Sequence, residues 1–185
     1  FAIAQHVYGA ESYIRGFSGY VIEILTIYYG SFMKFLKGVA KWKPLTIIDY
    51  GKLLKNPLKE LNASKIQSPL IVVDPVDKTR NAAAVVSKEK YNNLIKAARS
   101  FLKHPSEKYF VMGKEAIPKH AFYFEIEVKK KDEAVGGKLY SLYIKIKRQL
   151  ELNGFILKKS GFVFDTKTIF WFLPNKRILP KYEEL

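Results

Sequence analysis

Leu70-Ile71-Val72-Val73-Asp74-Pro75-Val76-Asp77-Lys78-Thr79-Arg80-Asn81 is an apolar run that gives way at once to a polar, proline-containing one. A short β-branched run closed by turn residues reads as a buried strand, and Asp74, Pro75 and Asp77 are residue types that shape a turn through fixed φ and side-chain bonds to their own backbone. Beyond it Ser87 stands as a helix cap, and Tyr91, Leu94, Ile95, Ala98 and Leu102 recur on one helical face until the His104-Pro105-Ser106 turn. The middle of the chain therefore reads strand, turn, helix.

Working outward, Pro44 precedes a second short strand, Leu45 to Tyr50, joined to the first by a Lys-, Asn- and Ser-containing connection over 51–68. Ahead of it, Tyr20 to Tyr29 predicts a buried helix. After a Gly30-Ser31 break, Phe32, Phe35, Leu36, Val39 and Trp42 predict another. Downstream, Phe122, Phe124, Ile126 and Val128 alternate with polar neighbours, the period of a strand with one wet face. A helix is expected over 138–152, with Leu139, Leu142, Tyr143, Ile146 and Leu150 inward and Lys138, Ser141, Lys145 and Arg148 opposite. Strands over 155–159 and 168–173, with a Ser160-Gly161 turn, complete a β-α-β-β series like part of an RNA-recognition or ferredoxin-like module. The expected class is α+β: a helical segment over 1–43, an α/β body over 44–115, a basic α+β region over 116–178 and a short terminal piece over 179–185.

The chain has 185 residues, 48% of them hydrophobic and 15% aromatic, enough to bury a core. Lys and Arg outnumber Asp and Glu 32 to 17, a net charge of +15 that points to an anionic partner, nucleic acid first. Cysteine is absent and histidines number three, which excludes a disulfide framework and a Cys/His zinc site. The longest apolar run falls short of the roughly 20 residues of a membrane span, so no membrane partner is expected. A reducing, cytoplasmic setting fits.

The opening stretch interleaves small residues and aromatics: His6-Val7-Tyr8-Gly9-Ala10-Glu11, Arg15-Gly16-Phe17-Ser18-Gly19-Tyr20, then Glu23 and Tyr29-Gly30-Ser31-Phe32. Glycines admit a ligand close to the backbone, and a helix beginning near Ser18-Gly19 offers free amides to a phosphate, though glycines beside a buried helix also serve packing. With the 74–81 turn, Pro105-Ser106, Arg148-Gln149-Leu150-Glu151 and Leu179-Pro180, this string resembles the class I, archaeal-type CCA-adding enzymes, which are tRNA nucleotidyltransferases. The likeness runs in order over nearly the whole chain and is densest over 6–36 and 69–86. The VYG…GFSGY arrangement is also similar to the matching segment of eukaryotic poly(A) polymerases.

The resemblance implies templateless addition of C, C and A to a tRNA 3′ end. It puts the Mg2+-binding carboxylates in an N-terminal head ahead of this chain, so the chain reads as a fragment that starts in the neck, holds tRNA, helps select CTP and ATP and is inactive alone. Gly30-Ser31 lies between helices and is not followed by a carboxylate strand. Glu125 and Glu127, on one face of a strand, read as a solvated outer face. No catalytic residue and no metal ligand is assigned here. Carried over residue by residue, Tyr8 matches the neck tyrosine that contacts the incoming nucleotide, and its plainer reading is a core tyrosine. Arg80 matches the arginine of the DPVD-x-x-RN turn that reads the incoming base, and its plainer reading is a solvated turn arginine. Asp74 and Asp77 are expected to shape the turn and pair with Arg80, and Glu11 with Arg15 to form a local ion pair.

For the RNA, the resemblance puts the acceptor and TΨC arms across body and tail. Lys138, Lys145 and Arg148 are the candidate contacts, with a solvated helix face as the plainer account. The chain departs from the pattern in a long, lysine-rich 42–70 segment and in stopping where the family continues through a Gly-Pro-Pro segment. Three other readings compete, the most distant a basic membrane-surface protein, because the basic helix over 138–152 also has an apolar face. A poly(A)-polymerase-like terminal nucleotidyltransferase would share Tyr8 but not the 74–81 turn, and a stand-alone RNA-binding protein would account for the charge, with Gly161-Phe162-Val163-Phe164 as a faint echo of an RNP motif.

Overall fold

Ser18 starts the first helix. Its hydroxyl accepts the Val21 amide at 3.2 Å, and α1 (Gly19–Tyr29) runs to Gly30, whose φ of +83° ends it. The computed structural model describes residues 1–113 and 117–176. The expected terminal piece over 179–185 and the join between 115 and 116 lie outside them. The chain divides into two compact units, Phe1–Gly113 and Lys114–Leu185.

In the first unit, α2 (Phe32–Val39) starts from Ser31 and buries Phe35, Leu36 and Val39. The helical spacing predicts continuation to Trp42, but the helix stops earlier. Trp42 still turns inward because its amide bonds Val39 O at 3.0 Å in a further turn. Strand β1 (Thr46–Ile48) pairs in parallel with β2 (Leu70–Val72). Parallel neighbours need a crossover rather than a hairpin, and the 51–68 connection contains a one-turn helix, α3 (Pro57–Glu60), and a 3-10 turn at Ala63–Lys65. Helix α4 (Lys88–Lys103) is capped by Ser87 and buries Tyr91, Leu94, Ile95 and Ala98, with Phe101 rather than Leu102 fully inward. Residues from 1–43 and from 44–113 share one hydrophobic cluster, in which Val7, Phe17, Leu25, Leu36, Leu70 and Val72 are wholly buried.

The second unit is built on β3 (Phe122–Glu127), α5 (Glu133–Leu152), β4 (Ile156–Val163) and β5 (Lys167–Lys176). Its sheet order is β3-β5-β4 with both pairings antiparallel, so β5 slots between two strands linked by a helix. Helix α5 covers one face: Tyr143, Phe170 and Phe172 are its buried centre, and the Tyr143 hydroxyl bonds Ser160 Oγ at 2.7 Å. The class is α+β, as expected from the sequence.

Several local expectations are corrected. Helix α5 starts a full turn earlier than 138, because Asp132 caps it by accepting the Val135 amide at 2.9 Å and Gly136-Gly137 continue it rather than break it. Leu142 faces out at 42% exposure, and Tyr140 packs on the core instead. Phe124 shares the α5 side with Phe122 yet stays 48% exposed, because β3 is an edge strand. Ser160-Gly161 is no turn: β4 runs straight through it, and the reversal lies at 164–166, where Asp165 Oδ1 accepts the Thr166 amide. Gly161 sits opposite Trp171, and a Cβ there would fall 2.3 Å from the indole ring. The glycine is a seat for a cross-strand ring.

Candidate functional site

Val7, Tyr8 and Gly9 lie alongside Gly16 and Phe17, pinned by Phe17 N to Val7 O at 2.7 Å and Gly9 N to Phe17 O at 2.9 Å. Extended backbone sends successive side chains to opposite sides. Val7 and Phe17 are therefore wholly buried while Tyr8 is 44% exposed. The Tyr8 ring lines an apolar cavity of about 290 Å³ with Phe1, Phe32 and Phe35. Its hydroxyl lies over Gly19, the first residue of α1, where a Cβ would come within 3.1 Å of it. A phenol thus stands beside a helix start whose first turn carries no acidic residue.

The 74–81 turn approaches the same helix end. Asp74 is 3% exposed and accepts the Tyr20 hydroxyl at 2.7 Å, the Val76 amide at 2.9 Å and the Asp77 amide at 3.4 Å, while Arg80 Nε lies 3.9 Å from its other oxygen. Burial alone would raise the Asp74 carboxyl, but the Tyr20 hydroxyl, the two amides and the Arg80 charge outweigh it and hold the group below the ordinary carboxylate value. The same hydrogen bond raises the Tyr20 phenol. Asp77 is also lowered, by the Thr79 hydroxyl and amide that it accepts. The Arg80 side chain remains 60% exposed. Tyr8 and Arg80 are therefore both tied to the first turn of α1, one through Gly19 and the other through Asp74 and Tyr20.

Two residues of this arrangement carry roles that the sequence reading did not assign. Tyr20 read as the start of an apolar run and the end of the GFSGY string, with no partner of its own. Asn81, 2% exposed, completes the edge of β2 that the 80–82 backbone bridges, where the Ala82 amide bonds Val72 O at 2.9 Å: its Oδ1 accepts the Val72 and Ala83 amides at 2.9 Å each, and its Nδ2 donates to Lys65 O at 2.8 Å and Leu70 O at 3.2 Å. An asparagine directly after an apolar strand and its turn was the available signal. The expected Glu11–Arg15 ion pair does not form. Glu11 Oε2 is buried without a hydrogen-bond partner, and Arg15, at φ +54°, contributes its backbone oxygen to the Ser87 amide at 2.8 Å.

In the second unit Lys138, Lys145 and Arg148 are exposed on α5. On the uncovered sheet face Glu125 is held by Lys167 at 3.0 Å. Among the described residues no group of three His, Cys, Asp or Glu could hold a metal ion.

Residues 1–111, nearly all of the first unit, match the family model described as tRNA nucleotidyltransferase, second domain. That makes the unit, by descent, a second domain of the tRNA nucleotidyltransferase kind. The chain belongs to this tRNA nucleotidyltransferase family. A CCA-adding enzyme of Nanoarchaeum equitans is 39% identical over 171 residues, covering 90% of this chain and 43% of the relative. One of Pyrobaculum aerophilum is 49% identical over 105 residues, covering 56% and 23%, and one of Saccharolobus shibatae is 36% identical over 154 residues, covering 80% and 35%. The chain spans less than half the length of each of these relatives.

Proposed function

We propose that this chain is the nucleotide-selecting and tRNA-holding part of an enzyme that adds CCA to tRNA 3′ ends without a nucleic-acid template. The observation that carries the reading is the family match over the first unit, within which Tyr8 and Arg80 converge on the start of α1. In this reading residues 1–43 contact the nucleotide, 44–115 form the body, and 116–178 form a basic RNA-binding region, with 179–185 continuing beyond it.

Tyr8 would give a hydrogen bond to a phosphate oxygen of CTP or ATP, next to the exposed amides of the helix start. Arg80, with its Nε turned to Asp74, presents the rest of its guanidinium to the base. The tRNA acceptor and TΨC arms would lie against the basic face that holds Lys138, Lys145 and Arg148, recognised by shape and phosphates. Nucleotidyl transfer draws on Mg2+ to stabilise charge. In this reading the metal-binding carboxylates belong to a head segment ahead of this chain; among the described residues no group of three His, Cys, Asp or Glu could hold a metal ion. The part played here is binding and orientation. A cytoplasmic location belongs to the same reading; among the described residues no helix is long and apolar enough to cross a membrane.

Arg80→Ala in the enzyme complete with its head tests the proposal. C-versus-A selection is expected to fall by about tenfold or more, the scale of one lost bidentate base contact, with little change in tRNA affinity. Normal selection at normal rates would remove Arg80 from base reading.

A further inference from the structure

On another side of the first unit, a groove of about 320 Å³ runs between α4 and the segment from Trp42 to Leu45. Its rim is cationic. Lys88, Asn92, Lys96 and Arg99 follow one another along a single face of α4, and all four are exposed. The opposite wall and floor are apolar, formed by Pro44, Leu45 and Pro69. No carboxylate lines the groove among the described residues, and none of its cations forms an ion pair with a described residue.

The walls are fixed. Tyr91 donates its hydroxyl to Lys43 O at 2.6 Å, and Thr46 Oγ1 reaches the same oxygen at 3.0 Å. The Trp42 and Tyr91 rings stack at 5.3 Å beneath, and Arg99 Nε is held by Ala40 O at 2.8 Å. Leu45 is held at φ +62° and remains 44% exposed.

We propose that this groove is a separate RNA-backbone site, which takes phosphates of a tRNA strand on Lys88, Lys96 and Arg99 and the intervening riboses on Pro44, Leu45 and Pro69. From Lys88 to Arg99 the row extends about 16 Å along the helix axis at 1.5 Å per residue. Asn92 lies between the cations, with an amide that can donate to a phosphate oxygen or bond a 2′-hydroxyl. A periodic row of unpaired cations above an apolar wall suits a sugar–phosphate chain, whose charge repeats at every step and whose sugars are weakly polar. The site rests on the tRNA reading above and lies on residues that none of the candidates considered so far includes.

The test is the affinity of the whole chain for an acceptor–TΨC minihelix, measured over a range of salt concentrations. Lys88→Gln/Lys96→Gln is compared with wild type and with Lys55→Gln/Lys59→Gln, which removes the same charge from exposed positions outside the groove. Thermal unfolding of each variant verifies folding. Two lost phosphate contacts should flatten the slope of log affinity against log salt by about 1.4 to 1.8, at roughly 0.7 to 0.9 per contact. The control pair should change it far less. Equal flattening in both double variants, or displacement of the minihelix by polyglutamate as readily as by RNA, would overturn the groove and leave the tRNA reading standing. No binding by wild type would overturn both.

Discussion

Asn81→Ala removes one amide and with it four hydrogen bonds that lie within the core of the first unit. The Val72 and Ala83 amides are left in wholly buried residues with no access for water, and each such orphan costs about 1 to 3 kcal/mol. The two carbonyls lose a donor but keep a second lone pair, so their share is smaller. The expected loss is about 3 to 5 kcal/mol, a large part of the roughly 5 to 15 kcal/mol that holds a domain together. Urea unfolding followed by circular dichroism should show a lower midpoint for the first unit. Native-state hydrogen exchange should quicken at Val72 and Ala83. Asn81→Asp sharpens the test. A carboxylate there can still accept both amides, but it faces the Lys65 and Leu70 oxygens from a buried position, which raises its folded pKa. Its penalty is therefore full above that raised folded value, shrinks as pH falls from it towards the ordinary carboxylate value of about 3.9, and is gone below that. An Asn81→Ala chain with an unchanged midpoint and unchanged exchange at Val72 and Ala83 would refute the edge-satisfying role.

Gly161→Val sets a branched side chain into the Trp171 ring and should destabilise the second unit by about 1 to 3 kcal/mol, read as altered Trp171 emission and earlier unfolding of that unit alone; an unaltered transition would mean that the ring moves aside freely. Tyr20→Phe deletes the hydroxyl donor of Asp74. Because Asp74 is held below its ordinary value, its contribution is present above about pH 4 and lost as pH falls through the folded value. The variant's acid unfolding should therefore begin at higher pH than wild type, and superimposable acid curves would show that Tyr20 does not hold the carboxylate.

The helices and strands that pack on a single core were readable because burial imposes its period on the sequence: Phe35, Leu36 and Val39 on α2, and Leu94, Ile95 and Ala98 on α4. What escaped was decided by contacts distant in sequence. Gly161 looks like a turn residue until the register puts Trp171 over it. Gly136 looks like a break until Asp132 caps the helix before it. The site divides in the same way. Arg80 and Tyr8 could be singled out from their motifs, whereas Tyr20 and Asn81 owe their roles to partners such as Asp74 and Leu70, which only the folded chain brings within reach.

The parallel pairing of β1 with β2 also sets an order of assembly. Residues 49–69 must loop out and return before β1 gains its neighbour, so the entropy of closing that loop is spent ahead of any reward, whereas β2 also bonds the nearby 80–82 segment. The β4–β5 hairpin, closed by a short local reversal, carries no such delay. Refolding should therefore complete the hairpin early and the parallel pair late. Asp74, Arg80 and Asn81 follow directly on β2, and the one distant bond that fixes Asp74 beside Arg80 comes from Tyr20, 54 residues away. A half-folded molecule therefore carries its full net charge of +15 while Arg80 is still unaligned.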